Sequence, residues 1–336
     1  YKRERRKSGL IFSGIYNSIS GVNNLNQFIQ AEKITKDINP VYGSIQKLHS
    51  RDTDLITICE DKVLKILANK DAVFNADGNP QLTANERVLG QTMPFVGEYG
   101  ISTNPESFAS DSYRAYFVDR VRGAVLRLSR DGLTPISESG MRDWFNDKLA
   151  SIDDYSDLDV NPHIIGSFDK HKKEYNLTIL DVNNVWETLT YREEVKGWVS
   201  FKSFIQDSGI SVSNSYFTFK EGAIWKHNNP SPPNNPTNYN NFYGNFTNSS
   251  FTVLLNDQPS IVKSFNTLNY EGTQSRITPN TSDDQYYNLT SVAGWAVDYI
   301  KTDLEDSSLD EFIEKEGKWF NYLKGKTITT TSTGTL

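Results

Sequence analysis

The sequence is poor in the residues that do chemistry. It has one cysteine, four histidines and two methionines in 336 residues. A single cysteine closes no internal disulfide. Cys59 sits after the apolar run Leu55-Ile56-Thr57-Ile58, the setting of a core thiol rather than a nucleophile. His49, His163, His171 and His227 are not spaced as a metal-binding pair such as HExxH. No G-x-S-x-G elbow, P-loop or dinucleotide-binding glycine pattern occurs. The 42 acidic residues contain no two that the sequence singles out as a glycosidase pair. No stretch reaches the roughly 18 apolar residues of a membrane helix. The basic start (Lys2, Arg3, Arg5, Arg6, Lys7) leads into 9–21, too broken by Ser, Asn and Gly for a signal peptide. The expectation is a non-enzyme with no cofactor, no metal and no membrane insertion.

Positive charge is also short. The net charge of −7 excludes the usual basic nucleic-acid-binding surface, though not one past which DNA slides. What is abundant is aromatic and turn-forming. There are 18 Phe, 17 Tyr and 6 Trp, which suit sheets. The 31 Asn favour turns.

The stretch 112–145 shows the pattern best. Tyr113, Ala115 and Phe117 alternate in one strand, and Val125, Arg127 and Ser129 in the next. Arg122-Gly123 turns the chain between them. Asp131-Gly132 predicts a type I′ hairpin, with Leu126 and Leu128 in the core and Arg127 outside it. Met141–Phe145 starts a short helix. The same logic of aromatic strand, polar turn and return strand recurs at 174–190 and 215–226, and more faintly at 54–67. Spacings of about 40–60 residues are those of propeller blades. The fold class expected is mainly β: a β-propeller-like module with long inserted loops and few short helices.

The chain divides by composition. Residues 1–40 read as an irregular N-terminal segment or linker, with two helical turns at 27–36. Blades fill 41–230, including strands at 88–93 and 97–101 and a turn at 77–80. Residues 231–250 are an Asn/Pro-rich loop; nine Asn and four Pro fall between 228 and 248, too many for a regular strand. Further β hairpins of the same domain occupy 251–325: strands at 251–255, 261–270 and 294–302, then a hairpin at 312–323 turning at Glu316-Gly317. Residues 326–336 are a tail, and the chain reads as a piece of a longer product.

Three weaker features have bland explanations. Asp153, Asp154, Asp157 and Asp159 lack the spacing of an EF-hand and read as a solvated loop. Five N-x-S/T sequons, at Asn176, Asn245, Asn248, Asn280 and Asn288, are expected from composition alone. Trp198, Trp225 and Tyr239 suit a sugar-binding face, but aromatics at strand spacing are more often core.

Several long strings resemble the stabilisation, or muzzle, proteins of crAss-like phages. They are RRKSGLIFSGIYNSISGVNNLNQFIQAEKITKDINPVYGSIQKL, RGAVLRLSRDGLTPISESGMRDWFNDKL, GWVSFKSF, YFTFKEGAIWKHN, NNFYG, LNDQPSIVKSFNTLNYEG and EKEGKWFNYLKG. They run in order along the chain, and the resemblance reaches from about Arg3 to Gly325. The resemblance extends to tail-nozzle proteins of short-tailed phages. It implies a structural subunit of a ring, a hexamer, around the DNA exit channel of the virion tail. The implied partners are copies of itself and other tail proteins, with packaged DNA passing without sequence-specific binding. No catalytic residues carry over. The positions singled out are structural: Arg122, Gly123, Asp131, Gly132, Trp198, Trp225, Gly244, Asp257, Pro259, Gly272, Gly317 and Trp319. The competing reading is a carbohydrate-binding or glycan-degrading β-propeller module of a phage tail fibre or adhesin.

Overall fold

The alternating strands fold into a series of antiparallel meanders. The computed structural model describes residues 5–29, 31, 33–52, 54–74, 80–150, 152, 164–181, 183, 185–229, 239–271, 295, 297–302, 306–309 and 312–323. The chain forms two compact units, Tyr1–Ser250 and Phe251–Leu336. Both are mainly β. The one α-helix among the described residues is Arg142–Ala150, at the place where Met141–Phe145 marks a helix start.

In the first unit, four sheets follow one another along the chain. The first holds Ile45–Arg51, Asp54–Cys59, Val63–Phe74 and Pro80–Pro94. The second holds Ala109–Asp111, Arg114–Asp119, Ala124–Ser129 and Gly132–Pro135. The third holds Ile164–Asp169, Glu174–Leu180, Trp186–Arg192 and Gly197–Lys202. The fourth has only Ser208–Val212, Ser215–Lys220 and Ala223–Lys226. Each strand pairs with the next in sequence, so every link is a local hairpin.

Period-two alternation lets one sheet bury both faces. In the second sheet, Ala115, Phe117, Leu126 and Leu128 pack with Ile56, Ile58 and Val63 of the first. Tyr116, Val118 and Val125 point the other way, to Phe168, Tyr175 and Leu177 of the third. The Tyr116 ring stacks on Phe168 and Tyr175 at 5.5 and 5.0 Å. Such pairs contribute about 0.5–1.5 kcal/mol each beyond their buried area. Cys59 is fully buried with Ile38, Leu64 and Ile66 on the far face of the first sheet.

The first strands of the second, third and fourth sheets lie together. Ile164–Asp169 packs against both Ala109–Asp111 and Ser208–Val212. Glycines permit this approach: a Cβ on Gly209 would come 2.7 Å from Ser167 Cβ, and one on Gly166 would strike the Ser107 carbonyl at 1.9 Å. Arg142–Ala150 packs between Ala124–Ser129 of the second sheet and Gly197–Lys202 of the third. Phe145 meets Trp198 at 4.7 Å, and Trp144 meets Phe201 at 5.8 Å.

Several local expectations need correction. Residues 27–29, 31 and 33–36 contain no helix; Thr35–Asp37 is a strand paired with Gly9–Ile11. Leu10 and Ile38 beside it pack onto the first sheet, so tertiary burial outweighs local propensity. Residues 97–101 are not a strand, because the Gly100 and Ile101 amides are drawn to Asp119 and to the Cys59 carbonyl. The hairpin at Asp131-Gly132 forms, but only Gly132 has a positive φ (+103°). Ser129 pairs with Gly132, so Arg130-Asp131 is the two-residue turn and Gly132 opens the return strand. The turn expected at 77–80 lies outside the described residues except for Pro80, which begins a strand.

Gly132 faces open space, and a Cβ added there would meet nothing within 4 Å. Gly132→Val is therefore expected to lower stability by about 1–3 kcal/mol through backbone strain alone. Thermal denaturation checks this, and an unchanged melting temperature would remove the strained turn.

In the second unit, Lys318–Tyr322 pairs with both Thr267–Tyr270 and Ile313–Lys315. Its hairpin turns at Glu316 and Gly317, both with positive φ (56° and 76°), as the sequence pattern predicts. Val297–Lys301 pairs with Asp306–Leu309. Residues 251–255 and 261–266 are not strands; the first stretch is apolar and β-prone, but neither has a ladder partner among the described residues.

Candidate functional site

The distinctive chemistry of the first unit lies where its sheets meet. Three junctions differ in kind. Between the first and second sheets, Asp119 is fully buried. Its Oδ1 accepts from the Ser102 hydroxyl (3.0 Å) and the Arg122 amide (3.2 Å). Its Oδ2 accepts from the Gly100 amide and the Arg122 guanidinium, each at 3.0 Å. Arg122 also reaches Asp61 at 3.2 Å. Burial opposes charge on Arg122, but Asp119 and Asp61 hold its pKa above the ordinary value. The turn needs Gly123, which has φ +63° and would place a Cβ 2.4 Å from Asn146 Oδ1.

Glu193 joins the second sheet to the third. It accepts from Tyr116 Oη at 2.8 Å and from Arg127 at 3.0 Å, with Arg114 at 3.7 Å. Burial first, and then Glu193, push the Tyr116 pKa far up, so the phenol stays a donor. Arg127 is thus half-buried at a junction rather than outside the core.

The third junction is polar. Glu174, Asn176, Thr178, Thr188 and Thr190 are buried on the face of the third sheet opposite Tyr175 and Leu177. Glu174 accepts from Arg192, and Thr190 donates to Asn176 at 2.8 Å. Ser167, Gln206 and Tyr216 join through contacts of 2.6–3.1 Å. Asn228 donates to Asp169 at 2.8 Å. No residue of the fourth sheet belongs to the three apolar clusters.

His227 lies in this junction. Its Nε2 is 2.6 Å from Thr218 Oγ1, and Phe204, Tyr216, Phe242 and Tyr243 surround the ring. Burial first, then Lys172 and Lys202, push its pKa down to about 4 against the pull of Asp169. The folded state therefore favours the neutral ring. Stability is full above about pH 6.5 and falls as the pH drops toward 4, by up to about 3 kcal/mol. His227→Gln is expected to flatten that part of the stability–pH curve, measured by urea denaturation. An unchanged slope would assign it to other groups.

The remaining positions singled out by sequence are scattered. Trp198 is half-buried and donates Nε1–H to the Ile136 carbonyl at 3.0 Å, so it is a packing residue. Trp225 packs edge-on against Tyr243 at 5.4 Å on the fourth sheet. Gly244 has φ +82° in the short hairpin of Asn241–Phe242 with Asn245–Phe246. Asp257 and Pro259 lie in an exposed bend, and Gly317 and Trp319 in the hairpin of the second unit. Gly272 and Asp153 to Asp159 lie outside the described residues, as do His163, Asn280 and Asn288. Asn176 is buried, which rules it out as a glycan acceptor in the folded chain.

Burial, with smaller contributions from Glu60 and Asp61, pushes the Cys59 thiol up to about 11, making it a poor nucleophile. Among the described residues, no three His, Cys, Asp or Glu are grouped to hold a metal. The buried carboxylates Asp119, Asp169 and Glu174 are all engaged inside the protein.

Sequence reasoning misses Asp169 and Glu193, and reads Asp119 only as a turn residue beside Arg120. A repeat exposes two of them: Asp119-Arg-Val-Arg-Gly123 and Asp169-Lys-His-Lys-Lys173 are one loop written twice. Gly123 and Lys173 share the same left-handed position (φ 63° and 56°). Asp169 Oδ1 caps its loop by accepting the His171 and Lys172 amides at 2.9 and 3.2 Å.

Residues 237–326 match the family model for the crassvirus muzzle protein C-terminal domain. The strings NNFYG, LNDQPSIVKSFNTLNYEG and EKEGKWFNYLKG fall inside that match. The muzzle protein of Bacteroides phage crAss001 is 20% identical over 244 residues, which is 70% of this chain. The chain spans only 16% of that protein's length. By both comparisons the chain is similar to the muzzle proteins of crAss-like phages.

Proposed function

We propose that the chain is a structural virion protein, a subunit of a ring that forms the tail nozzle around the DNA exit channel. The match of residues 237–326 to the muzzle C-terminal domain carries this reading. Its partners are further copies of itself and neighbouring tail proteins, and packaged DNA passes without sequence-specific contacts. Its site is the virion tail. The reading involves no catalytic step, which agrees with buried carboxylates committed to structural bonds.

The first unit acts in this reading as a propeller-like module. The convergence of the first strands of the second, third and fourth sheets supports that assignment. Stacked sheets tied by local hairpins make a stiff wall, which a channel for packaged DNA requires. The glycan-binding alternative gains nothing from Trp198, whose ring is spent on internal packing.

A density map of the parent virion tests the proposal. The expected result is this chain's density in the tail, repeated around the channel axis. Density elsewhere in the particle, or none, would overturn it.

A further inference from the structure

Among the described residues the fourth sheet stops one strand short of its three predecessors. Its last strand, Ala223–Lys226, pairs with Ser215–Lys220 on one side and with no strand on the other among the described residues. All four residues are exposed, Ile224 at 66%. The chain that follows is ill suited to close this edge. Pro230, Pro232, Pro233 and Pro236 lack ladder donors. The next described hairpin, Asn241–Phe242 with Asn245–Phe246, pairs with itself.

The open edge has a defined set of free groups. His227 donates its amide to the Tyr216 carbonyl. Antiparallel alternation then turns the amides of Ala223 and Trp225 inward, to Ser215–Lys220. The amides of Ile224 and Lys226 point to the vacant side. One face of the same sheet is also uncovered. Cross-strand partners share a face, which puts Ile224 with Phe219 and Ile210 with Phe217. Ile210, Val212 and Ile224 are exposed there.

The chain displays a segment fit to fill the vacancy. Phe251-Thr252-Val253-Leu254-Leu255 has no charge and no proline, and its β-branched and aromatic residues suit a strand. It belongs to no strand, and Phe251 and Leu254 are 72% and 87% exposed. We propose that this segment, from a second copy of the chain, adds to Ala223–Lys226 as the fourth strand. Backbone hydrogen bonds then supply the affinity, and apolar side chains settle beside Ile224. Donor and acceptor are different patches on every copy. Each copy gives one strand and takes one, the heterologous contact that closes rings. Lys226 at the edge guards it against indiscriminate pairing. The inference rests on the ring-assembly reading above and names the contact that reading needs.

The test uses the intact chain and light scattering across a concentration series. Ile224→Pro removes an outward amide and leaves the inward ladder donors in place. It is expected to weaken self-association at least tenfold, as is Val253→Pro. Circular dichroism and a melting curve establish that each variant folds. If one does not, Ile224→Cys with Val253→Cys decides: oxidation should give covalent dimers and higher multimers, and neither single variant should. Assembly unchanged by both prolines, or no cross-link, overturns the strand contact while ring assembly stands. A chain that stays monomeric at every concentration overturns both.

Discussion

Gly166→Ala is expected to cost at least about 3 kcal/mol and to leave little folded protein. The added methyl would sit 1.9 Å from the Ser107 carbonyl oxygen, 2.6 Å from its carbon and 2.8 Å from Tyr175 Oη. None of these can step aside cheaply. Ser107 ends the tight turn Pro105–Ser107, and Tyr175 donates to that same carbonyl at 2.7 Å. Relief requires the second and third sheets to part along the Tyr116, Phe168 and Tyr175 stack. Urea denaturation and solubility measure the effect, with Gly197→Ala as a control, where an added Cβ would meet only the Val195 carbonyl oxygen, at 3.9 Å. If Gly166→Ala melted within about 2 °C of the parent, the close approach of the first strands would be wrong.

Asp119→Ala should be nearly as damaging, at about 3–5 kcal/mol. The carboxylate gathers the Gly100 amide, the Ser102 hydroxyl and both donors of Arg122. Removing it strands these groups around a fully buried site, and each unmet donor carries its own desolvation penalty. Asp119→Asn keeps one acceptor oxygen but aims an amide at the other donors, so it should fall between parent and alanine. Each kcal/mol moves the melting temperature of a unit this size by about 2–4 °C. Equal melting of Asp119→Ala and the parent would mean that Arg122 and Asp61 hold the junction by themselves.

Much of the fold is legible in the sequence because it is written locally. Strict alternation in Ala115–Phe117 and Tyr175–Ile179, with turn residues at Gly123 and Glu316-Gly317, specifies hairpins without tertiary context. The helix after Met141 announces itself in the same way. The failures are tertiary in origin. Thr35–Asp37 is a strand because the first sheet has a face to cover. Gly100 is held by Asp119, 19 residues further along the chain, and no local period records that. Phe251–Leu255 has strand composition but no ladder partner among the described residues, and composition cannot supply one. Gly166 follows no turn rule; its requirement exists only once Ser107 is beside it. Trp198, singled out as an aromatic, packs its ring on Phe145 and Tyr191 and donates its indole N–H across a sheet junction.

The polarity of the last junction sets an order of opening. The first three sheets share dry apolar clusters, and parting them exposes hydrocarbon to solvent at a cost proportional to area. The fourth is held through Ser167, Gln206, Tyr216 and Asp169, whose hydrogen bonds water can replace. In amide exchange the fourth sheet should therefore open as its own unit while the other three stay protected. The module has a seam, and a mechanical load or an acid pulse on His227 would reach that seam first.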